Sequence, residues 1–109
     1  MLAKTYRLTK RGSFTYIYNK GERKGTPLIS IVFVKSKNLK IGFSVPNKVG
    51  KACVRNKVKR RLRAALREFI PKILPCQVVF TAKLGTENLS FLEIKSTVKN
   101  LLIRSKLLV

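Results

Sequence analysis

Residues 48–68 read KVGKACVRNKVKRRLRAALRE, and this stretch predicts a basic loop followed by one long cationic helix over Val54–Ile70. Apolar side chains recur there at the spacing of a single helical face. They are Val54, Val58, Leu62, Ala65, Leu66 and Phe69. Basic side chains fill the rest of the helix, with Arg55 at the border, and Pro71 ends it because proline cannot continue the hydrogen-bond ladder. The helix therefore offers one face to a core and the other to an anionic partner.

The whole chain carries the same charge bias. Its 109 residues contain 25 Lys and Arg against four acids, which gives a net charge of +21. Such a surface repels itself unless a polyanion neutralises it, so nucleic acid or an anionic membrane is the expected partner. No apolar run approaches the roughly 20 residues that span a bilayer, and the N-terminus has no apolar signal segment. We therefore expect a cytoplasmic nucleic-acid-binding protein with no membrane partner.

The sequence offers no obvious catalytic residues. It contains no His, and all four acids are glutamates: Glu22, Glu68, Glu87 and Glu93. A protein nuclease usually needs a His acid–base pair or a carboxylate cage for metal ions. Cys53 and Cys76 lack the spacing and the histidines of a zinc site, so we expect reduced core thiols, although a disulfide stays open. No catalytic residue and no protein-bound metal is predicted.

The sequence around the basic stretch predicts two further helices, one before it and one at the end of the chain, and three strands. A short helix is expected over Ser13–Lys20, from an N-cap serine to a stop at Gly21. Apolar strands over Leu28–Val34 and Ile41–Val45 are expected to pair as an antiparallel hairpin, and a further short strand can precede them. Gln77–Ala82 is a third strong strand.

The last helix begins at Ser90, whose spacing to Glu93 is that of a capping box. Its inner face is expected to consist of Ile94, Val98, Leu101, Leu102 and Ser105. No linker or repeat interrupts the chain, so residues 1–109 are expected to form one α+β domain.

The basic stretch strongly resembles the signature of the bacterial ribonuclease P protein component. The signature Lys-x-Gly-x-Ala-x-x-Arg-Asn-x-x-Lys-Arg-x-x-Arg stands here as Lys48, Gly50, Ala52, Arg55, Asn56, Lys59, Arg60 and Arg63. The resemblance extends through Phe14–Tyr18, Gly25–Pro27 and Ile41–Val45, and covers roughly residues 5–85. So many fixed positions at fixed spacing distinguish this pattern from a basic helix alone.

The resemblance implies that the basic helix faces a catalytic RNA subunit. Arginine forks on successive turns can hold phosphate oxygens bidentately, and Asn56 can bond a sugar hydroxyl or a base edge. Free N–H groups at the helix start favour a further phosphate. The expected RNA-binding residues are Lys48, Lys51, Arg55, Asn56, Lys57, Lys59, Arg60, Arg61, Arg63 and Arg67.

The resemblance also implies a cleft between the first helix and the sheet that binds the single-stranded 5′ leader of precursor tRNA. Phe14 and Tyr18 match the aromatic residues of that cleft on the helix, and Phe33 or Val32 would come from the sheet, with Phe33 our choice. Aromatic side chains stack on unpaired bases without needing a particular sequence. Aromatics at this spacing are also typical of core packing, and that alternative stays open.

The fold implied is a small α–β sandwich of order αβββαβα, like domain 2 of ribosomal protein S5. It would have a left-handed connection into a parallel strand pair, against the usual rule. The function implied is that of a protein subunit, one per RNA, in a ribonucleoprotein whose RNA cleaves precursor tRNA. The Mg²⁺ would be bound mainly by the RNA, with no cofactor on the protein alone.

Two other functions compete with this interpretation. A ribosomal or general structured-RNA-binding protein would use the same helix, but it gives no reason for the aromatic cleft or for the spacing of Arg55 and Asn56. A self-sufficient RNA nuclease is disfavoured because the chain lacks His and Asp. The RNA recovered with the protein distinguishes the first alternative, and cleavage by RNA-free protein would identify the second.

Overall fold

A computed structural model describes residues 11–108 of the chain, and only the backbone of residues 11–14. The element order is αβββαβα, as predicted. The elements are α1 (Arg11–Lys20), β1 (Glu22–Gly25), β2 (Ile29–Lys35), β3 (Lys40–Ser44), α2 (Ala52–Arg67), β4 (Cys76–Ala82) and α3 (Phe91–Arg104). Short 3-10 turns lie at Asn47–Val49, Ile70–Lys72 and Thr86–Asn88.

The four strands form one sheet in the order β1-β2-β4-β3. β1, the short extra strand anticipated before Pro27, pairs antiparallel with β2. β4 pairs antiparallel with β2 and parallel with β3, so the predicted hairpin between β2 and β3 is wrong. β4 lies between them because its side chains are buried on both faces of the sheet, as suits a central strand. The parallel pair implied by the family resemblance is present.

The two faces of the sheet pack against different helices. On the face that we call the core face, side chains such as Ile31 and Phe80 join α2 and α3 in the main hydrophobic core. On the opposite face, the α1 face, Ile17 of α1 packs with Val32 and Val79 in a smaller cluster. Successive residues of a strand point to opposite faces, so neighbours in β2 serve different clusters.

α2 uses the predicted apolar face. Its buried side chains are Val58, Leu62, Ala65 and Leu66, followed beyond the helix by Phe69, while Val54 is half-buried. The helix begins two residues before the predicted start and ends three before the predicted end. It ends early because the Phe69 N–H bonds the Leu66 carbonyl in a tightened turn, which leads into the 3-10 turn containing Pro71.

α3 begins with the predicted capping box. The Glu93 N–H donates to Ser90 Oγ at 3.2 Å, and the Ser90 N–H donates to the Glu93 carboxylate at 3.4 Å. Its predicted inner face, including Ser105, is buried. α1 begins at Arg11, so Ser13 lies inside the helix and is not the predicted N-cap.

Candidate nucleic-acid interface

The polar side chains of α2 lie in three rows, each built at i, i+4 spacing. One row, Arg55, Lys59, Arg63 and Arg67, starts at the border of the core. A second contains Asn56 and Arg60, and a third contains Lys57 and Arg61. Successive members of a row are about 6 Å apart along the axis, and the longest row covers about 18 Å.

Contacts with neighbouring elements orient the two outer rows. The Arg63 guanidinium lies over the ring of Phe43 in β3, 5.8 Å from its centroid. Arg61 Nη1 donates to the Leu89 carbonyl just before α3 at 2.9 Å. The first row therefore faces the β3 edge of the sheet, the third faces α3, and Asn56 and Arg60 lie on the crest between them.

All ten residues predicted to bind RNA reach solvent. The loop lysines and Asn56, Lys57, Arg60 and Arg67 are exposed, whereas Arg55, Lys59, Arg61 and Arg63 are half-buried. Arg55 Nε is shielded from solvent, and no partner for it occurs among the described residues. Arg55 thus occupies the border position expected from the sequence, half-buried and with its Nε shielded from solvent.

The positive charge of α2 has little internal compensation. Glu68, the acid that ends the helix, pairs with Lys95 of α3 at 2.5 Å. Glu93 belongs to the capping box, and Glu87 accepts from the Gly85 N–H. Within residues 11–108, no ion pair joins a carboxylate to a basic side chain of α2. The positive electrostatic potential of the α2 surface is therefore not neutralised by these carboxylates and can attract an anionic partner.

The loop before α2 adds positive charge at the helix N-terminus. Lys48 and Lys51 are exposed, and the N-cap residue Lys51 supplies no side-chain hydrogen bond to the first turn. A Cβ at Gly50 would lie 3.0 Å from the Val54 side chain, so glycine lets the loop pass close to the helix. The loop thus places two lysines beside the free N–H groups of the first turn.

The α1 face carries the aromatic residue expected in the cleft. Tyr18 is half-buried and packs against the cluster of Ile17, Val32 and Val79. Arg23 of β1 lies 5.9 Å from the centroid of the Tyr18 ring, and its Nη2 donates to the Tyr18 carbonyl at 2.6 Å. The sequence pattern did not single out Arg23. Arg23 is only five residues from Tyr18 in sequence, but the two meet across the turn at Gly21 between α1 and β1.

Phe33 does not belong to this cleft, and the structure corrects that choice. Its side chain is 6% exposed and lies in the core-face cluster, on the other side of the sheet from α1. Val32, the residue left open beside it, packs with Ile17 instead. Phe14 lies in α1 one turn before Tyr18, but its side chain is outside the described part of the chain.

The cysteines differ from the predicted pair of core thiols. Both are free; Cys76 is buried, whereas Cys53 is exposed on α2. Burial raises the pKa of the Cys76 thiol to about 11. In the described ranges, no three His, Cys, Asp or Glu side chains cluster as metal ligands would. Nor is any helix of residues 11–108 long and apolar enough to cross a membrane.

Comparison with known proteins points to one family. The sequence model of the family Ribonuclease P matches residues 2–106. The ribonuclease P protein component of Lactococcus lactis subsp. lactis is 33% identical over 99% of this chain and 94% of its own length. That of Clostridioides difficile is 34% identical over 94% and 93%. The Staphylococcus aureus RNase P protein structure covers 97% of this chain and 100% of its own, with a TM-score of 0.90 and 27% identity.

Proposed function

The chain belongs to the ribonuclease P protein family, and on that premise we propose that α2 and the loop before it bind the RNA subunit through its phosphates. As a component of ribonuclease P, it acts with an RNA partner in tRNA processing. The observation that carries the proposal is the uncompensated charge of α2, whose basic rows have no carboxylate partner among residues 11–108. Planar guanidinium groups suit bidentate contacts with phosphate, and the crest residue Arg60 is exposed for such a contact.

The same proposal assigns hydrolysis to the RNA subunit. The chain has no His and no Asp, and the Glu68, Glu87 and Glu93 carboxylates already serve an ion pair, a turn and a helix cap. The Mg²⁺ ions of the reaction would be held mainly by RNA phosphates, which match the oxygen ligands that magnesium prefers. The protein would raise substrate affinity and lower the magnesium requirement by neutralising phosphates.

Precursor tRNA is the proposed substrate, with its 5′ leader on the α1 face. Tyr18, which packs against the cluster of Ile17, Val32 and Val79, would stack on an unpaired base, and Phe14 is the second residue proposed to stack. Arg23 lies beside the Tyr18 ring, where its guanidinium can meet a leader phosphate. The basic rows of α2 and the α1 face would thus hold different RNAs: the catalytic subunit and the substrate.

We also propose one protein per RNA subunit and a cytoplasmic location. The residues expected to bind the RNA subunit lie on one loop and one helix, so each chain presents them once, as one continuous surface. A general structured-RNA-binding protein would use the same rows but would bind ribosomal and ribonuclease P RNA alike.

Reconstitution with a bacterial ribonuclease P RNA tests the proposal. Arg60→Gln and Lys57→Gln should each weaken RNA binding about three- to tenfold, since each removes an exposed cation from the rows. Lys99→Gln is the matched control, because Lys99 is an exposed lysine on α3 outside the rows. Equal losses in all three variants would mean that total charge alone binds RNA. Cleavage of precursor tRNA by RNA-free protein would overturn the assignment of hydrolysis to the RNA.

A further inference from the structure

A cavity of about 700 Å³ lies between the end of α3 and strands β1 and β2, and none of its lining residues belongs to α2 or to the loop before it. It sits at the end of the sheet where Lys35 pairs with Cys76. The chain leaves β3 toward α2 at the opposite end of the sheet, where Ser44 pairs with Thr81. A volume of this size is within the range of about 300–1,000 Å³ that small-molecule sites occupy. It is separate from both surfaces described above.

The rim of this cavity is positively charged. Lys24, Lys35, Arg104 and Lys106 line it together with one acid, Glu22. Among the described residues, none of these four cations forms an ion pair, and Arg104 makes only a long contact, 3.5 Å, to the Gly25 carbonyl. The balance of four cations to one carboxylate favours an anionic ligand.

Lys106 reaches the cavity from a backbone conformation that usually belongs to glycine. α3 ends in a Schellman arrangement, with the Leu107 N–H bonded to the Leu102 carbonyl and the Lys106 N–H bonded to the Ile103 carbonyl, both at 3.0 Å. Lys106 has φ +59°, the left-handed conformation that is strained for residues with a Cβ. A lysine at this position lowers stability relative to glycine and places a cation on the cavity rim.

Ser105 contributes a buried hydroxyl that no group in the described chain satisfies. The residue is 8% exposed and lines the cavity, and its Oγ has no hydrogen-bond partner. Buried polar groups in native proteins are almost always hydrogen-bonded, so an orphan hydroxyl at a cavity wall indicates a polar ligand.

The remaining wall is apolar and fixed in place. Phe33 and Leu107 are buried, and Leu74 is 43% exposed. The Leu74 N–H donates to the Leu107 carbonyl at 2.7 Å, which joins the segment before β4 to the end of the chain. The wall is therefore preformed, and it offers a flat apolar group a surface that a bare phosphate would not use.

We propose that this cavity binds a nucleotide. The base would lie against the wall of Phe33, Leu74 and Leu107, and the phosphate among the four basic side chains. Ser105 Oγ would bond the ribose or the phosphate, and Glu22 can accept from a ribose hydroxyl or a base amino group. The nucleotide can be a free one or an unpaired residue of RNA, which present the same chemistry to the cavity.

Titration of the full chain with adenosine 5′-monophosphate, followed by amide NMR shifts, tests the proposal. Saturable shifts are expected at Phe33 and at residues 105–107, with weaker binding of adenosine and of inorganic phosphate. Lys106→Gly should weaken the binding about three- to tenfold while leaving the melting temperature equal or higher, because it removes the charge and relieves the strain. Lys99→Gln should change neither. Shifts confined to α2, equal affinity for inorganic phosphate, or unaltered binding by Lys106→Gly would overturn the proposal.

Assembly with ribonuclease P RNA separates the two sources of the nucleotide. If Arg104→Gln and Lys106→Gly weaken RNA binding more than Lys99→Gln does, the nucleotide belongs to the RNA; if only monophosphate binding falls, it is a free nucleotide. The RNA arm rests on the proposed function, whereas the monophosphate titration does not. Arg60→Gln should weaken RNA binding without altering the monophosphate shifts, so failure at one surface is distinguishable from failure at the other.

Discussion

Replacing Tyr18 by leucine should weaken the binding of precursor tRNA, but not of mature tRNA, to the reconstituted holoenzyme. Stacking contributes about 1–3 kcal/mol per base. The Arg23 guanidinium lies over the ring, 5.9 Å from its centroid, so a base stacking on that ring face would compete with it. We therefore expect the low end, about 1 kcal/mol, which is roughly a fivefold rise in Kd.

The folding cost of the same change should be small. Truncating a fully buried aromatic residue to alanine costs about 3–5 kcal/mol, but Tyr18 is only half-buried and leucine keeps an apolar side chain against the cluster of Ile17, Val32 and Val79. We expect a loss of about 1 kcal/mol in the free energy of unfolding, or roughly 5 °C in Tm.

Fluorescence anisotropy with both tRNA forms, alongside thermal melting, measures these effects. Tyr18→Phe keeps the ring and serves as the matched control, with binding close to that of the parent. An equal loss of affinity for precursor and mature tRNA, accompanied by a large fall in Tm, would refute leader stacking and identify Tyr18 as a core residue.

Three further predictions concern the fold. Leu62→Ala should lower the free energy of unfolding by about 2–5 kcal/mol in urea titration, since Leu62 is fully buried beneath α2; a loss below about 1 kcal/mol would contradict its packing. Ser90→Ala should cost about 1 kcal/mol through the capping box, whereas Ser96→Ala, an exposed change within α3, should cost little. At about pH 8 a thiol reagent should label Cys53 quickly and Cys76 slowly. Burial raises the Cys76 pKa from 9.0 to about 11. The stability that depends on the protonated Cys76 thiol is therefore full below pH 9.0 and is lost as the pH rises through about 11. Rapid labelling of both thiols in the folded protein at about pH 8 would contradict the burial of Cys76.

Local patterns predicted the helices well because their signals lie within a few residues of one another. The apolar face of α2 follows from side chains three and four residues apart, and the capping box from the spacing of Ser90 and Glu93. The pairing of β2 was not predictable in this way. β4 enters the sheet more than 40 residues later in the chain and separates β2 from β3.

In the candidate site too, features set by local periodicity were predicted and features set by contacts between elements were not. The basic rows follow from helical periodicity, so the predicted side chains of α2 reach solvent. The sheet side of the cleft was mistaken because residues 28–34 are apolar on both faces, and alternation could not tell whether Phe33 or Val32 faces α1. Arg23 escaped notice because its contact with Tyr18 depends on how the chain turns at Gly21 between α1 and β1, which the residue types alone do not specify.

The salt dependence of binding to ribonuclease P RNA tests the central claim most directly. Each phosphate neutralised in a duplex region contributes about −0.9 to the slope of log K against log salt, and about −0.7 in single strands. The basic rows of α2 should therefore give a slope of several units, and Arg60→Gln should reduce its magnitude by about one while Lys99→Gln leaves it unchanged. A nearly flat response, or the same reduction in both variants, would contradict phosphate binding by α2.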